Sequence, residues 1–295
     1  MRVVSLLPGA TEIVAALGAA DRLVAISHEC DHPPSVRHLP RVTSTPLGGS
    51  LPGAAIDGEV RRLRDAGQAV ITVDAEALRR LAPDLLITQD LCEVCAVADG
   101  SVHRLAAVMD PSPAVLALSG RTVDGVMKDI RSVARALDLD PDGDELTAGL
   151  RSRLARLRQG APAAPPRVLC VEWLEPLYLA GHWVPDLVDA AGGLDAGATA
   201  GAHSARASWS AVADLRPDLI VIMLCGFGLD RSRVELDRLT DADALRALGS
   251  APVWLLDGNA YTSRPGPRVV DGAERLQSAM RGVERPGLAR WQPRR

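Results

Sequence analysis

The chain has 295 residues, of which 47% are hydrophobic and 24% are charged, so it can bury a core and is not a disordered polymer. The formal net charge is −4, and the near balance of acidic and basic residues argues against a nucleic-acid-binding protein. Aromatic residues make up only 3% of the chain, and all of them lie at or after position 173. The first half must therefore build its core from Leu, Val, Ile and Ala.

The N-terminus predicts a buried strand followed by a helix, and not a secretory leader. Its apolar run stops at Pro8, and Thr11 and Glu12 follow directly, whereas a leader needs about 7 to 15 apolar residues before its cleavage site. No segment approaches the roughly 20 apolar residues of a membrane span. We therefore expect a cytoplasmic location, with a periplasmic or extracellular one only if a leader is missing from this sequence.

Residues 1–118 predict a first α/β lobe, because short apolar runs alternate with helical patterns. The predicted strands cover residues 2–7, 23–27, 69–73, 85–88 and 114–118. The predicted helices cover residues 11–17, 58–66 and 76–81. The strands lack strict alternation of apolar and polar residues, which favours a parallel sheet covered on both faces.

Residues 119–160 predict a connecting backbone helix. Apolar residues recur at helical spacing over 123–137, and a second helical pattern covers 144–157. The Asp-Pro-Asp-Gly sequence at 140–143 predicts a break or kink between the two patterns. The proline-rich stretch at 161–166 predicts a linker.

Residues 161–283 predict a second α/β lobe, with a loosely held tail at 284–295. Its predicted strands cover 168–172, 219–224 and 253–256, and a closing helix covers 268–280. The segments LAPDLLI and LRPDLIV occupy equivalent places in the two lobes, which favours duplication over a coincidental helix-to-strand connection. The predicted fold is α/β, with two Rossmann-like lobes of parallel sheet, a bridging long helix and a ligand cleft between the lobes.

The loops after the strands should line the cleft, because open parallel sheets bind ligands at the carboxyl ends of their strands. Trp side chains in such loops suit a flat ligand, although they can also simply pack beneath the loops. An arginine there can bind a carboxylate, phosphate or amide oxygen, or pair with an acid. The predicted ligand-binding residues are Pro8, Thr11, Glu12, His28, Glu29, Gln89 and Asp90 in the first lobe, and Glu172, Trp173, His182, Trp183, Phe227, Asn259, Tyr261 and Arg264 in the second.

Four of the five cysteines also fall in loops predicted to face the cleft. Cys92 and Cys95 have the C-x-x-C spacing that lets two thiolates reach one zinc or other soft metal ion, or form a reversible disulfide. Cys30 and Cys225 could complete such a site, and His28 could ligate a metal, act as an acid or base, or bond to nearby backbone. The alternative is that the cysteines are reduced thiols that line a pocket without ligating anything.

Five strings in the sequence resemble a leaderless branch of the cobalamin-binding proteins, which belong to the helical-backbone, class III substrate-binding proteins of ABC importers. They are SLLPGATEIVAALG, SHECDHPP, TQDLCEVCAV, AGHWVPDLVDAAGG and DGNAYTSRPGPRVVDG. The resemblance implies two lobes joined by a long helix, a corrinoid, haem or metal chelate held between them, and delivery of that cargo to a membrane permease. Such proteins bind without catalysing a reaction.

In that family one carboxylate on each lobe docks on the permease. The resemblance places Glu76 at the docking position of the first lobe, but the matching position of the second lobe holds Ser210. The docking pair with an ABC permease is therefore incomplete.

Two functions follow from these residues. The first is a binding protein for a cobalamin-like corrinoid or a metal chelate, with no turnover. The second is a cytoplasmic metal-binding or redox protein that uses the cleft cysteines, either as an enzyme or without turnover.

Overall fold

The computed structural model describes residues 1–47, 49, 51–91, 97 and 99–292. Within this part of the chain, no helix is both long and apolar enough to cross a membrane. The predicted metal ligands Cys92 and Cys95 lie outside the described residues.

The first lobe contains a four-stranded parallel sheet with the strand order β2-β1-β5-β6 and helices on its faces. Its elements in chain order are β1 (Val3–Ser5), α1 (Pro8–Ala16), β2 (Leu23–Ile26), β3 (Thr43–Ser44), α2 (Gly53–Asp65), β4 (Thr72–Val73), α3 (Ala75–Leu81), β5 (Leu85–Gln89), α4 (Asp99–Ala107) and β6 (Ala114–Leu118). The four main strands fall where the apolar runs predict them.

The predicted strand at 69–73 is mostly wrong. Only Thr72–Val73 is extended into a strand, and it pairs antiparallel with Thr43–Ser44 outside the main sheet. Val70 and Ile71 are buried in the core of the lobe all the same. Their apolar character reflects burial, which side chains in a loop can achieve without pairing in a sheet.

Two helices follow the first lobe, α5 (Val123–Ala136) and α6 (Asp140–Gln159). They run antiparallel, because Arg131 pairs with Asp144 near the junction and Arg151 pairs with Asp124 at the far end. Helix α5 packs on α1 and β6 of the first lobe. Helix α6, about 30 Å long, packs on α5 and on two helices of the second lobe, so it is the bridge between the lobes.

The predicted break at 140–143 is displaced. These residues form the first turn of α6, because proline is tolerated where the helix has no backbone donor to satisfy. The chain instead turns at Leu137 to Leu139, where Asp138 has a φ of +56°.

The second lobe contains a seven-stranded sheet whose core strands β7, β11 and β12 are parallel. Its elements are β7 (Arg167–Leu174), β8 (Leu177–Leu179), α7 (Val184–Ala191), β9 (Leu194–Asp195), β10 (Ala205–Arg206), α8 (Trp209–Val212), β11 (Leu219–Ile222), α9 (Leu229–Asp237), α10 (Ala242–Leu248), β12 (Val253–Leu256), α11 (Gly258–Tyr261), α12 (Val269–Met280) and β13 (Leu288–Trp291). Strands β8, β10 and β13 join by antiparallel pairing, so this sheet is mixed and not purely parallel.

The last strand shows that the prediction of a loosely held tail is wrong for Leu288–Trp291. This strand pairs antiparallel with the whole of β12, and Trp291 is buried against the second-lobe core. A four-residue segment carries too little pattern to predict a strand, and its partner lies about 35 residues earlier in the chain.

Candidate functional site

The carboxyl ends of strands from both lobes meet across an inter-lobe cleft. On one side of the cleft, the loops after β1 and β2 approach the loop after β12. On the other side, the loops after β7 and β11 lie under the first turn of α2. The two sides have different chemistry.

A cluster of charged side chains, here called the inter-lobe brace, fills the first side. It consists of Glu12 and Asp31 of the first lobe and Asn259, Arg264 and Arg268 of the second. The Arg264 guanidinium donates to Glu12 Oε1 at 3.2 Å, to Asp31 Oδ1 at 2.5 Å and to Asn259 Oδ1 at 2.7 Å. Arg268 donates to both Glu12 oxygens, at 2.5 and 2.8 Å.

The brace is buried at its centre, where Arg264 is 5% exposed and Glu12 is 4% exposed. Burial lowers the pKa of Arg264, but hydrogen bonds and charges from Asp31 and Glu12 outweigh it and raise that pKa overall. Burial raises the pKa of Asp31, and the hydrogen bond and charge of Arg264 reverse this, so the Asp31 pKa is lowered. The charges of the brace therefore stabilise one another.

The brace changes the interpretation of three predicted ligand-binding residues. Glu12, Asn259 and Arg264 bond to partners in the brace and do not stand open in the cleft. Glu29 is exposed, and its backbone carbonyl accepts a hydrogen bond from Arg264. The structure thus uses these positions to join the lobes, and their role toward a ligand stays a prediction.

The backbones of the two lobes touch beside the brace. A Cβ atom at Gly9, in the first turn of α1, would lie 2.6 Å from the carbonyl oxygen of Pro265 in the second lobe. Only glycine allows this approach without a shift of one lobe.

We expect Gly9→Ala to lower the free energy of unfolding by about 1–3 kcal/mol, because the added methyl group overpacks the lobe contact. Urea denaturation measures this change. Gly18→Ala is not a suitable control, since Gly18 has a positive φ, whereas Gly58→Ala in α2 has open space at its Cβ position. A loss from Gly58→Ala as large as that from Gly9→Ala would contradict the lobe-contact explanation.

Two aromatic side chains, Trp173 and Phe227, form the second side and are called the aromatic pair. Trp173 lies at the end of β7 and Phe227 in the loop after β11, with ring centroids 5.3 Å apart and planes tilted by 55°. The first turn of α2 covers them from the other lobe, since a Cβ atom at Gly53 would lie 3.5 Å from Trp173 Cζ2. These rings are the predicted aromatic ligand-binding residues that the structure brings together.

A family model for periplasmic binding proteins matches residues 3–248, which are most of the two lobes. The chain belongs to the periplasmic binding protein family. It is a substrate-binding protein of the ABC-transporter type, as the resemblance of the five sequence strings implies.

Several characterised proteins are similar over nearly the whole chain. The vitamin B12-binding protein of Vibrio cholerae serotype O1 is 24% identical over 278 residues, which are 93% of this chain and 87% of that protein. A periplasmic heme-binding protein from Pseudomonas aeruginosa superposes with a TM-score of 0.74 at 21% identity, covering 100% of this chain and 99% of that one. The vitamin B12-binding protein BtuF of Vibrio cholerae superposes with a TM-score of 0.63 at 22% identity, covering 95% and 96%. The predicted two-lobed α/β fold is confirmed.

Other predicted rings of this periplasmic binding protein pack within the second lobe. Trp183 is 7% exposed, and its indole N–H donates to the carbonyl oxygen of Thr262. The guanidinium carbon of Arg275 lies 3.7 Å from the centroid of the Tyr261 ring. The Arg275 guanidinium also donates a hydrogen bond to the Tyr261 hydroxyl. Trp183 and Tyr261 therefore both pack against residues of their own lobe.

His182 lies in the loop before α7 with a φ of +53°. Its ring is edge-on to the ring of His203, with centroids 5.3 Å apart. Burial, then the charges of His203 and Arg121, lower the His182 pKa. Burial and these charges therefore favour the neutral form of the ring.

In the first lobe, several predicted polar residues bond behind the cleft. Cys30 is fully buried, with its sulfur 3.0 Å from the Thr11 hydroxyl, and burial raises the Cys30 pKa to about 11. The Nδ1 atom of His28 lies 2.7 Å from the Thr43 hydroxyl, and burial, then Arg41, lowers the His28 pKa. Thr11 lies inside α1, and its hydroxyl donates to the Ser5 hydroxyl at 2.8 Å.

The remaining predicted residues differ in exposure. Pro8 begins α1, Gln89 is buried at the end of β5, and Asp90 after it is exposed. Glu172 is half-buried on β7. These positions agree with the rule that the site lies at strand ends.

The described residues do not support a zinc site. Cys225 is half-buried, and Cys30 stays protonated at neutral pH. Among the residues that the structure describes, no group of three or more His, Cys, Asp or Glu side chains could hold a metal ion. The prediction for Cys92 and Cys95 falls outside these residues.

The two docking positions lie on the surface of different lobes. Glu76 is in the first turn of α3, with its side chain 81% exposed and paired with Arg80. Ser210 is exposed on the short helix α8. Both are accessible to a protein partner.

Sequence reasoning did not identify several residues of the cleft. Asp31 and Arg268 complete the brace, and Arg231 and Glu235 of α9 contact the segment that leads into α2. Asp31 and Arg268 lie within two of the five quoted strings, but a string does not show which of its residues pair across the cleft. Arg231 and Glu235 lie in none of the five strings. Only the tertiary contacts across the cleft identify them.

Proposed function

We propose that this protein binds a planar metal chelate of the corrinoid or haem type between its lobes and delivers it to an ABC permease. The observation that supports the proposal most directly is the aromatic pair. Trp173 is half-buried at the end of β7, and Phe227, which is 5% exposed, packs against it in the loop after β11. Both rings thus lie at strand ends beside the opposite lobe, which is where parallel sheets bind ligands. Planar rings favour stacking with planar ligands.

The similar proteins support the same class of cargo. The similar Vibrio cholerae protein is a vitamin B12-binding protein, and two of the similar solved structures are of a heme-binding and a vitamin B12-binding protein. A corrinoid and a haem share a flat tetrapyrrole-like metal chelate with polar groups at its rim. We therefore propose a planar metal chelate of this kind as the cargo. A corrinoid is the first chelate to test.

The brace supports a binding protein whose lobes keep one arrangement. Five side chains and a backbone contact join the lobes on the first side of the cleft, and α6 joins them behind it. Cargo is then released by a partner that acts on both lobes. We infer that the permease contacts the surfaces around Glu76 and Ser210, and that Ser210 leaves the second surface without the docking carboxylate.

Titration with aquacobalamin and, separately, with haemin tests the proposal. We expect a shift of the visible absorption bands at one site per chain, and a rise in melting temperature at excess chelate, because the ligand binds only the folded state. Unchanged spectra and an unchanged melting temperature with both chelates would contradict the proposal.

Trp173→Ala should weaken binding of the chelate at least about 30-fold, because loss of a buried aromatic anchor costs about 2 kcal/mol or more. Trp173→Phe keeps a flat ring and should retain most of the affinity. Visible-range titration measures both variants, and circular dichroism verifies that they fold. Equal affinities of the alanine variant and the wild type would place the chelate away from the aromatic pair.

A further inference from the structure

Two neighbouring cavities are lined by α2 and by residues at or just after the end of β7. One is a groove of about 620 Å³ between α2 and the turn after β7, and its charged lining residues are Asp57, Arg61, Arg62, Asp65, Glu175 and Arg206. The other is a pocket of about 10 Å³ against the aromatic pair. Ala54 and Glu175 line both cavities, so little besides the first turn of α2 separates them.

The two cavities differ in volume and in aromatic surface. The groove is wide and largely open to solvent, and it lies beside the aromatic pair and not on it. The pocket has the aromatic surface, but it holds about one water molecule. Neither cavity alone offers both the volume and the stacking surface that a planar chelate needs.

Helix α9 of the second lobe holds the first turn of α2 in place. Arg231 donates to the backbone carbonyl of Leu51 at 2.8 Å and to that of Gly49 at 2.8 Å. The Glu235 carboxylate accepts a hydrogen bond from the backbone N–H of Gly53 at 3.0 Å. A carboxylate at the N-terminus of α2 also interacts favourably with the helix dipole.

Arg231 also covers the aromatic pair itself. Its guanidinium carbon lies 3.6 Å from the centroid of the Phe227 ring. A guanidinium is planar and stacks on aromatic faces, so it occupies the surface on which a planar ligand would stack. The same side chain thus holds the turn and blocks the ring.

We propose that the groove and the pocket are two parts of one ligand site, which the first turn of α2 divides and which Arg231 and Glu235 hold closed. This inference rests on the proposed function. The chelate stacks on the aromatic pair after the turn moves, and its rim lies in the groove. Arg61 and Arg62 already donate to Asp57 and Glu59. Their remaining N–H groups, together with Arg206, Asp65 and Glu175, supply donors and acceptors for amide or carboxylate groups at the rim.

The closed arrangement slows binding, because only the fraction of molecules with the turn displaced can accept the chelate. Removal of one contact of the turn raises that fraction. The association rate constant should then rise about fivefold to tenfold, with little change in the dissociation rate constant, since the contact is already broken in the complex.

A first experiment needs no chelate. Amide hydrogen exchange at Gly53 should be about tenfold faster in Glu235→Met and in Arg231→Met than in the wild type. Asp230→Asn and Arg233→Met change the same helix away from these contacts and serve as matched controls. Unchanged exchange at Gly53 in both test variants would overturn the inference that these residues hold the turn.

The second experiment is stopped-flow binding of aquacobalamin and of haemin to the same four variants. Faster association in Arg231→Met and Glu235→Met, but not in the controls, supports the divided site. Binding of either chelate at unchanged rates overturns the division by α2 and leaves the proposed function intact. If neither chelate binds to the wild type or to any variant, the proposed function itself is overturned.

Discussion

Arg264→Met should lower the free energy of unfolding by about 3–5 kcal/mol, the usual cost of breaking a buried ion pair by removing one partner. The guanidinium is 5% exposed and donates to two carboxylates, one amide oxygen and one backbone carbonyl. Methionine fills part of the space but leaves these acceptors without their donor. The substitution therefore weakens the contact between the two lobes.

Urea denaturation followed by circular dichroism measures this change. Arg246→Met is the matched control, because Arg246 is 75% exposed and pairs only with Asp243 at the surface. The control should change stability by less than about 1 kcal/mol. Equal losses in the two variants would show that the brace contributes no more than a surface ion pair.

The pH dependence of the same pair of proteins provides a second readout. Arg264 holds the pKa of Asp31 below its usual value, so the Asp31 contribution to stability is present above about pH 4 and is lost as the pH falls through the lowered pKa. The difference in stability between wild type and Arg264→Met should therefore shrink below about pH 4. A difference that stays constant down to pH 2 would remove Asp31 from the explanation.

Trp291→Ala should lower the free energy of unfolding by about 3–5 kcal/mol, as for other large aromatic residues removed from a core. Trp291 is 7% exposed, packs with the second-lobe core and donates its indole N–H to Asp237. It also anchors the last strand of the seven-stranded sheet, which covers the edge of β12.

Arg290→Ala provides the control for Trp291→Ala, because Arg290 is the exposed neighbour in the same strand. We expect a change within about 0.5 kcal/mol for this surface substitution. Differential scanning calorimetry compares the two variants. If Trp291→Ala unfolds at the wild-type temperature, β13 is not an integral part of the sheet.

The two sides of the cleft differ in how strongly they join the lobes. The brace and the Gly9 contact join the lobes by interactions that are buried and mutually satisfied. The contacts of Arg231 and Glu235 on the other side are fewer and partly exposed. A local displacement of α2 therefore costs less free energy than a separation of the lobes, and it is the movement we expect on binding.

Part of the site could be predicted because apolar runs in the sequence show where the buried strands end. The strand ends that bear Trp173 and Phe227 follow apolar runs, and the sequence places these residues there without any knowledge of the fold. It could not show that the Trp173 ring faces the other lobe while Trp183 packs against Thr262. Both are tryptophans beside predicted loops, and local pattern does not distinguish them.

The sequence by itself determined the α/β class, the two lobes, the main parallel strands and the family, because apolar periodicity and five family-specific strings are local properties of the chain. The tertiary structure alone decided that Arg264 joins the lobes, that α5 and α6 are antiparallel, and that α2 covers the aromatic pair. Each of these depends on contacts between residues far apart in the chain, here as many as 256 positions between Glu12 and Arg268. Such contacts are set by packing and charge pairing in three dimensions, which the order of residues does not display.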